Sequence, residues 1–225
     1  MNELLQAFFS PEIVGKVWFF LLKGLAWTLL LSAIVIPVGA LAGLACALAQ
    51  SVAARPLRWL LVAYVDFFRA FPPLVLLLFI HYGLPFAGLT LPALVSVTIA
   101  FMLNTSSYYG EVFRAGLDSV PRGQMEAARA SGLTRAQALT YVIVPQATRN
   151  VLPDLLSNTL EVVKLTSIAS VVAVTELTFA ARNAQSLLFN ATPIVLAALM
   201  YLAVLWPCVR LLSRLEHKAG GVMRA

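Results

Sequence analysis

Residues 24–50 read GLAWTLLLSAIVIPVGALAGLACALAQ. The run exceeds the ~20 mostly apolar residues that a bilayer crossing needs. In hydrocarbon every backbone group must pair internally, so an apolar run of this length has to be a helix. Barrel strands alternate in polarity over ~10 residues, and this stretch does not. Further apolar runs follow at about 57–82, 92–115, 146–171 and 193–212. Together they predict an all-α integral membrane protein with about five transmembrane helices.

Composition agrees. The 225 residues are 60% hydrophobic and 12% charged, with mean hydropathy +0.87. A soluble domain carries about 25% charged residues. Residues 1–23 place Glu3, Glu12, Lys16 and Lys23 among Phe, Leu and Trp, which predicts an amphipathic helix lying in the interface. The expected organisation is therefore an interfacial segment (1–23), a transmembrane domain (24–214) and a basic tail (215–225). The two cysteines, Cys46 and Cys208, lie in or beside apolar runs without metal-binding spacing and read as small hydrophobes. His81 and His217 have no catalytic or metal partner in sequence and read as interfacial.

The net charge of +6 collects at span ends, so a membrane explains it and nucleic acid is not called for. Arg55 and Arg58 flank the first loop. Arg114, Arg122, Arg129, Arg135 and Arg149 flank the third, and Arg210, Arg214, Lys218 and Arg224 follow the last span. The other side holds only Lys16, Lys23 and Arg182. This asymmetry predicts that loops one and three and the C-terminus are cytoplasmic, with the N-terminus outside. The second span carries Phe71-Pro72-Pro73 and should break there, and Pro37 should kink the first.

The third loop is the longest. Asp118 or Ser119 can cap a helix with Pro121 in its first turn, and Gly132 suits a left-handed C-terminal cap. Thr134-Arg135-Ala136-Gln137 reads as a capping box that opens a second helix, expected to end before Pro145. Glu126-Ala127-Ala128, then Gly132, then Val142-Ile143-Val144-Pro145 resembles the signature loop of permease subunits of binding-protein-dependent ABC importers, with valines where isoleucine and leucine are usual. The stretches 64–72, 119–124, 145–147 and 164–167 resemble the subfamily importing polar amino acids such as histidine, glutamine or arginine.

That resemblance implies a type I importer in a bacterial plasma (inner) membrane. It implies a second permease, identical or not, a pair of ABC ATPase subunits, and a periplasmic or extracellular solute-binding protein. The helix at Glu126, Ala127 and Ala128, ended by Gly132, would be the coupling helix seated on an ATPase. No Gly-x-x-x-x-Gly-Lys-Ser/Thr stretch occurs, so ATP and Mg would belong to a partner and the chain is not expected to be an enzyme.

Two runs carry polar residues at steps of three and four. They are Asn104, Ser107, Tyr108, Glu111 and Asp118, and Asp154, Ser157, Asn158, Glu161 and Lys164. Facing lipid they would be costly, so they face the bundle interior or a water-filled path. Ser107 and Ser157 read as glue between helices. Glu161 with Lys164, Asp66 with Arg69, and Glu111 with Arg114 are spaced to form ion pairs. The resemblance implies substrate contacts at Asn104, Thr105, Glu161 and Thr166; Leu165 stands where many relatives have Asp, which weakens a cationic-substrate reading. Two other readings remain: a permease-like scaffold with a vestigial site, and an intramembrane enzyme, for which no Ser/His pair or HExxH motif is present.

Overall fold

The computed structural model describes residues 6–222, with side chains up to 214. The expectations that rest on the side chains of Glu3, His217, Lys218 and Arg224 lie outside them. Among the described residues ten α-helices have both bounds defined: α1 (Pro11–Val52), α2 (Arg55–Ala70), α3 (Pro73–Leu78), α4 (Ala93–Ser119), α5 (Arg122–Ala130), α6 (Arg135–Ala138), α7 (Val144–Asn150), α8 (Leu152–Leu165), α9 (Leu177–Leu188) and α10 (Thr192–Val222). There is no strand among the described residues, as all-α architecture in lipid requires.

Among the described residues, three helical stretches are long and apolar enough to cross a membrane: Gln6–Val52, Leu152–Val172 and Thr192–Arg214. Arg55–Ala70 with Pro73–Ala87 makes a fourth if the broken pair counts as one span. The expected fifth, α4, has the length, but its run from Asn104 to Gly110 lowers its hydropathy. At the N-terminus, α1 continues through position 23 without a break, so residues 11–23 extend the first helix instead of forming a separate one. Its polar end is marked by the exposed Lys16–Glu12 ion pair.

The second span breaks as expected. Phe71 takes an extended conformation (φ −82°, ψ 126°) and caps α2, because Pro72 and Pro73 cannot donate and disfavour helix before them. Pro37 is accommodated inside α1.

The chain divides into two compact units. One comprises residues up to Ile36, Pro73–Phe101 and Leu160 onward; the other comprises Pro37–Pro72 and Met102–Thr159. In the first unit, Val17 and Leu21 of α1, Leu177, Ala180 and Ala181 of α9, and Leu196, Ala197 and Met200 of α10 share one core. A Cβ on Gly24 would lie 2.9 Å from the Ala180 Cβ, so α1 and α9 approach at a glycine. Within this unit Glu176 is wholly buried and caps α9: its carboxylate accepts from the Thr178 and Phe179 N–H groups, both at 2.8 Å, and from the Tyr201 hydroxyl at 3.0 Å. Thr28 Oγ1 takes the Leu177 N–H at 3.1 Å. With the Glu176 N–H on Val174 O at 2.8 Å, all four orphan donors at this helix start are satisfied inside the protein.

The second unit packs α1 onto α4 through Gly39-x-x-x-Gly43. A Cβ on Gly43 would meet the Gly110 nitrogen and the Tyr109 Cβ at 2.7 Å, and one on Gly39 would run into Thr105 Oγ1. Small residues let two backbones close where lipid offers no hydrophobic drive between helices. Tyr109 is buried and shares a 2.8 Å hydrogen bond with Thr159 Oγ1.

Candidate functional site

The loop helix is built by its caps. Leu133 N–H donates to Ala128 O at 3.2 Å and Gly132 N–H to Arg129 O at 3.1 Å. This 6→1 and 5→2 pair is a Schellman motif, and Gly132 holds its left-handed position at φ 88°. Arg129 Nη1 adds a bond to Leu133 O at 2.9 Å. Thr134 and Gln137 exchange both bonds of the expected capping box. Glu126 and Ala127 are exposed, while Ala128 is buried. Beneath the loop, Val120, Ile143 and Ala147 form a small core, and a Cβ on Gly116 would lie 2.9 Å from Ala147 O. The helix therefore stands on a packed base with a polar outer face.

Two local expectations are corrected. The N-cap of α5 is Pro121, with no side-chain cap. Ser119 Oγ instead donates to Gly116 O at 2.7 Å and accepts from Asn150 Nδ2 at 2.8 Å, so it ties the loop's base. The helix from Thr134 does not stop before Pro145. A π-turn at Leu139–Ile143 carries it into α7, which ends at Asn150. The wider turn makes room for the proline ring, and Gln146 Nε2 donates to Val142 O at 2.8 Å.

Inside the second unit the polar face of α4 answers the break in α2. Helix α2 ends with carbonyls that would normally bond N–H groups four residues on. For Phe68 and Arg69 those positions are Pro72 and Pro73, which have none. Asn104 Nδ2 donates to Phe68 O at 3.2 Å, and the Tyr108 hydroxyl, one turn along, donates to Arg69 O at 3.3 Å. Asn104 is only 4% exposed, so its amide is committed to this contact. Thr105 is buried against Gly39, and its hydroxyl has no partner among the described residues. Ser107 Oγ bonds Asn104 O within its own helix at 2.6 Å and makes no hydrogen bond to another helix among the described residues.

Glu161 and Thr166 belong to the first unit. Glu161 pairs with Lys164 at 2.6 Å, and both side chains are more than half exposed. Such a pair contributes little stability in water. Thr166 is buried and its hydroxyl bonds Val163 O at 2.7 Å. It opens the 3-10 turn Thr166–Val172, which ends in Ala173 at φ 59°. The structure thus brings Asn104 and Thr105 together on α4, and Glu161 and Thr166 together at the end of α8. Of the other expected pairs, Arg114 holds Glu111 (Nε–Oε2 2.9 Å) and Asp118 (Nη1–Oδ2 2.7 Å). Asp66 and Arg69 form no ion pair among the described residues. Arg69 lies instead 5.7 Å from the Tyr108 ring centroid.

Sequence reading missed Glu176 and the Gly39/Gly43 pair. The glycine spacing was visible as a small-xxx-small motif. A Glu ahead of Leu177 at a helix start was a weaker signal, since Glu is not a favoured N-cap. Glu176 lies between two spans, and burial pushes its carboxyl above the ordinary value despite the bonds it accepts.

Residues 35–219 match the profile of the binding-protein-dependent transport system inner membrane component. The chain is 38% identical over 185 residues to a probable glutamine ABC transporter permease protein, GlnM, of Bacillus subtilis, covering 82% of this chain and 84% of the relative. It is 36% identical over 216 residues to the L-cystine transport system permease protein TcyB of the same organism, covering 96% and 88%. In structure it is similar to a chain of a crystallised amino acid ABC transporter, with TM-score 0.82 and 34% identity over 91% of this chain and 96% of that one. With an all-helical membrane fold and a rigidly capped loop helix already in place, these matches mean that the chain belongs to the family of binding-protein-dependent transport system inner membrane components.

Proposed function

We propose that this chain is the permease subunit of an ABC importer for polar amino acids in a bacterial inner membrane. The relatives named for glutamine, cystine and arginine support the substrate class. The capped helix α5 is the observation that carries the coupling role: Glu126, Ala127 and Ala128 face or adjoin an ATPase groove, and the Gly132 motif fixes the angle at which the helix is presented. ATP and Mg reside on that ATPase, a solute-binding protein delivers substrate, and a second permease completes the pathway. Loops one and three and the C-terminus are cytoplasmic, the N-terminus is outside, and residues 24–214 form the transport domain with 215–225 as a tail.

Asn104, Thr105, Glu161 and Thr166 line the substrate path in this reading. One observation favours a second reading for part of that set. Asn104 is committed to Phe68 O and Thr105 is enclosed against Gly39, which suits a chain that shapes the path without touching the solute, as a scaffold in a heterodimer would. The test is uptake of radiolabelled L-glutamine into proteoliposomes holding the full importer and its binding protein. ATP-dependent uptake that Glu161→Gln lowers is expected. Absence of uptake for every common amino acid tried would refute the substrate class. A cysteine at Gln124 should label only from the ATPase side; labelling from the other side would reverse the orientation.

A further inference from the structure

A cavity of about 570 Å³ lies within the second unit, among the ends of α1 and α4 and one face of α2. Its size falls in the ~300–1,000 Å³ range of small-molecule sites. Six charged side chains line it: Arg58, Asp66, Arg69, Glu111, Arg114 and Asp118. Three are cationic and three anionic, so the wall is neutral overall. Arg114 pairs with both Glu111 and Asp118, a trio of net charge −1. The other three, of net charge +1, form no ion pair among the described residues. Arg58 donates only its Nε, to Gln50 O at 3.0 Å. Asp66 and Arg69 make no ion pair among the described residues. Arg58, Asp66 and Arg69 stand at steps of eight and three along α2, on its cavity face. Buried Gln50 adds an amide to the wall.

Two guanidinium groups and one carboxylate that form no ion pair, in a neutral wall, match a ligand that is itself neutral but charge-separated; Arg58 keeps its Nη donors free beside its Nε bond to Gln50 O, and Arg69 engages only the Tyr108 ring. A simple anion would meet Asp66, and a simple cation would meet the arginines. We infer that this cavity is a second ligand site that takes a small zwitterion, with Arg58 and Arg69 receiving its anionic group and Asp66 its ammonium. Nothing in the transport path proposed above uses these residues. The same chemistry is available from a free α-amino acid and from the ethanolamine headgroup of a phospholipid. An amino acid as probe rests on the function proposed above.

The experiment uses the complete importer with its ATPases, without binding protein, in nanodiscs of phosphatidylglycerol alone. Binding of radiolabelled L-glutamine is measured by equilibrium dialysis for wild type, for Asp66→Asn with Arg69→Gln, and for Glu12→Gln, a change at the exposed start of α1. The expected result is a binding component at least tenfold weaker in the Asp66/Arg69 variant and unchanged in Glu12→Gln. If the double variant unfolds at lower temperature than wild type, Asp66→Glu and Arg69→Lys replace it, each expected to weaken that component at least threefold. A second arm adds phosphatidylethanolamine to the discs. Loss of glutamine binding in wild type, with the lipid co-purifying only when Asp66 and Arg69 are intact, assigns the same site to the headgroup. Isotherms and lipid retention that are identical in wild type and variants would overturn the inference. Glutamine uptake that proceeds normally beside such identical isotherms sinks this site alone, whereas absence of any amino-acid uptake sinks the proposed function whatever the isotherms show.

Discussion

Replacing Asn104 with alanine removes the only side-chain donor that reaches Phe68 O among the described residues. The carbonyl cannot turn to its own helix, because residue 72 is proline, and lipid supplies no water. An orphaned buried acceptor costs about 1–3 kcal/mol. The bond is 3.2 Å long and Asn104 is nearly fully buried, which places the loss near the middle of that range. Equilibrium unfolding of the purified chain in mixed micelles should show it directly. A second substitution isolates the cause. Pro72→Ala restores an N–H four residues from Phe68, so Asn104→Ala should cost about 1 kcal/mol less in that background. Tyr108→Phe should cost less than Asn104→Ala, since its bond is 3.3 Å and Tyr108 is 40% exposed. Equal costs of Asn104→Ala in both backgrounds, or a cost under about 0.5 kcal/mol in wild type, would refute the capping argument. A raised KM for uptake with unchanged stability would then return Asn104 to the substrate path.

Gly43→Ala forces a methyl to 2.7 Å from backbone and should destabilise by about 1–3 kcal/mol, whereas Gly15→Ala, which meets nothing within 4 Å, should be neutral or slightly stabilising in the same unfolding assay. Gly132→Ala and Gly123→Ala both place their methyl in open space, and only Gly132 has a positive φ. Hydrogen exchange of the loop amides should therefore accelerate in Gly132→Ala, by the factor matching about 1–2 kcal/mol of strain, and stay unchanged in Gly123→Ala. The Glu176 carboxyl lies above the ordinary 4.5 because of burial. The folded chain keeps that proton to higher pH than the unfolded chain, so this contribution is complete below 4.5 and is lost as pH rises through the folded value. Glu176→Gln should flatten the fall in unfolding stability over that window; an unchanged slope would count against it.

The apolar runs, the break at Phe71-Pro72-Pro73 and the caps at Gly132 and Thr134 were legible in sequence because each is decided locally. An apolar run of ~20 residues has one backbone solution in lipid. A proline removes its donor wherever it stands, and a Schellman glycine or a capping box is completed within six residues. The short ion pairs Glu161–Lys164 and Glu111–Arg114 follow from helical spacing for the same reason.

What spacing could not decide was which partner wins when several compete. Asp66 and Arg69 have pairing distance along α2, yet Arg69 turns to the Tyr108 ring. Ser119 could have capped α5, yet Asn150, 31 residues away, engages it at the loop's base. Asn104 reads as a polar residue in a pathway until the carbonyl that Pro72 leaves bare is brought against it. Sequence alone determined that this chain is a helical membrane protein with a rigid loop helix, since backbone satisfaction and capping are local. Only the tertiary structure decided what the polar side chains do, because a buried donor binds whichever acceptor packing delivers, and that acceptor lies on another helix.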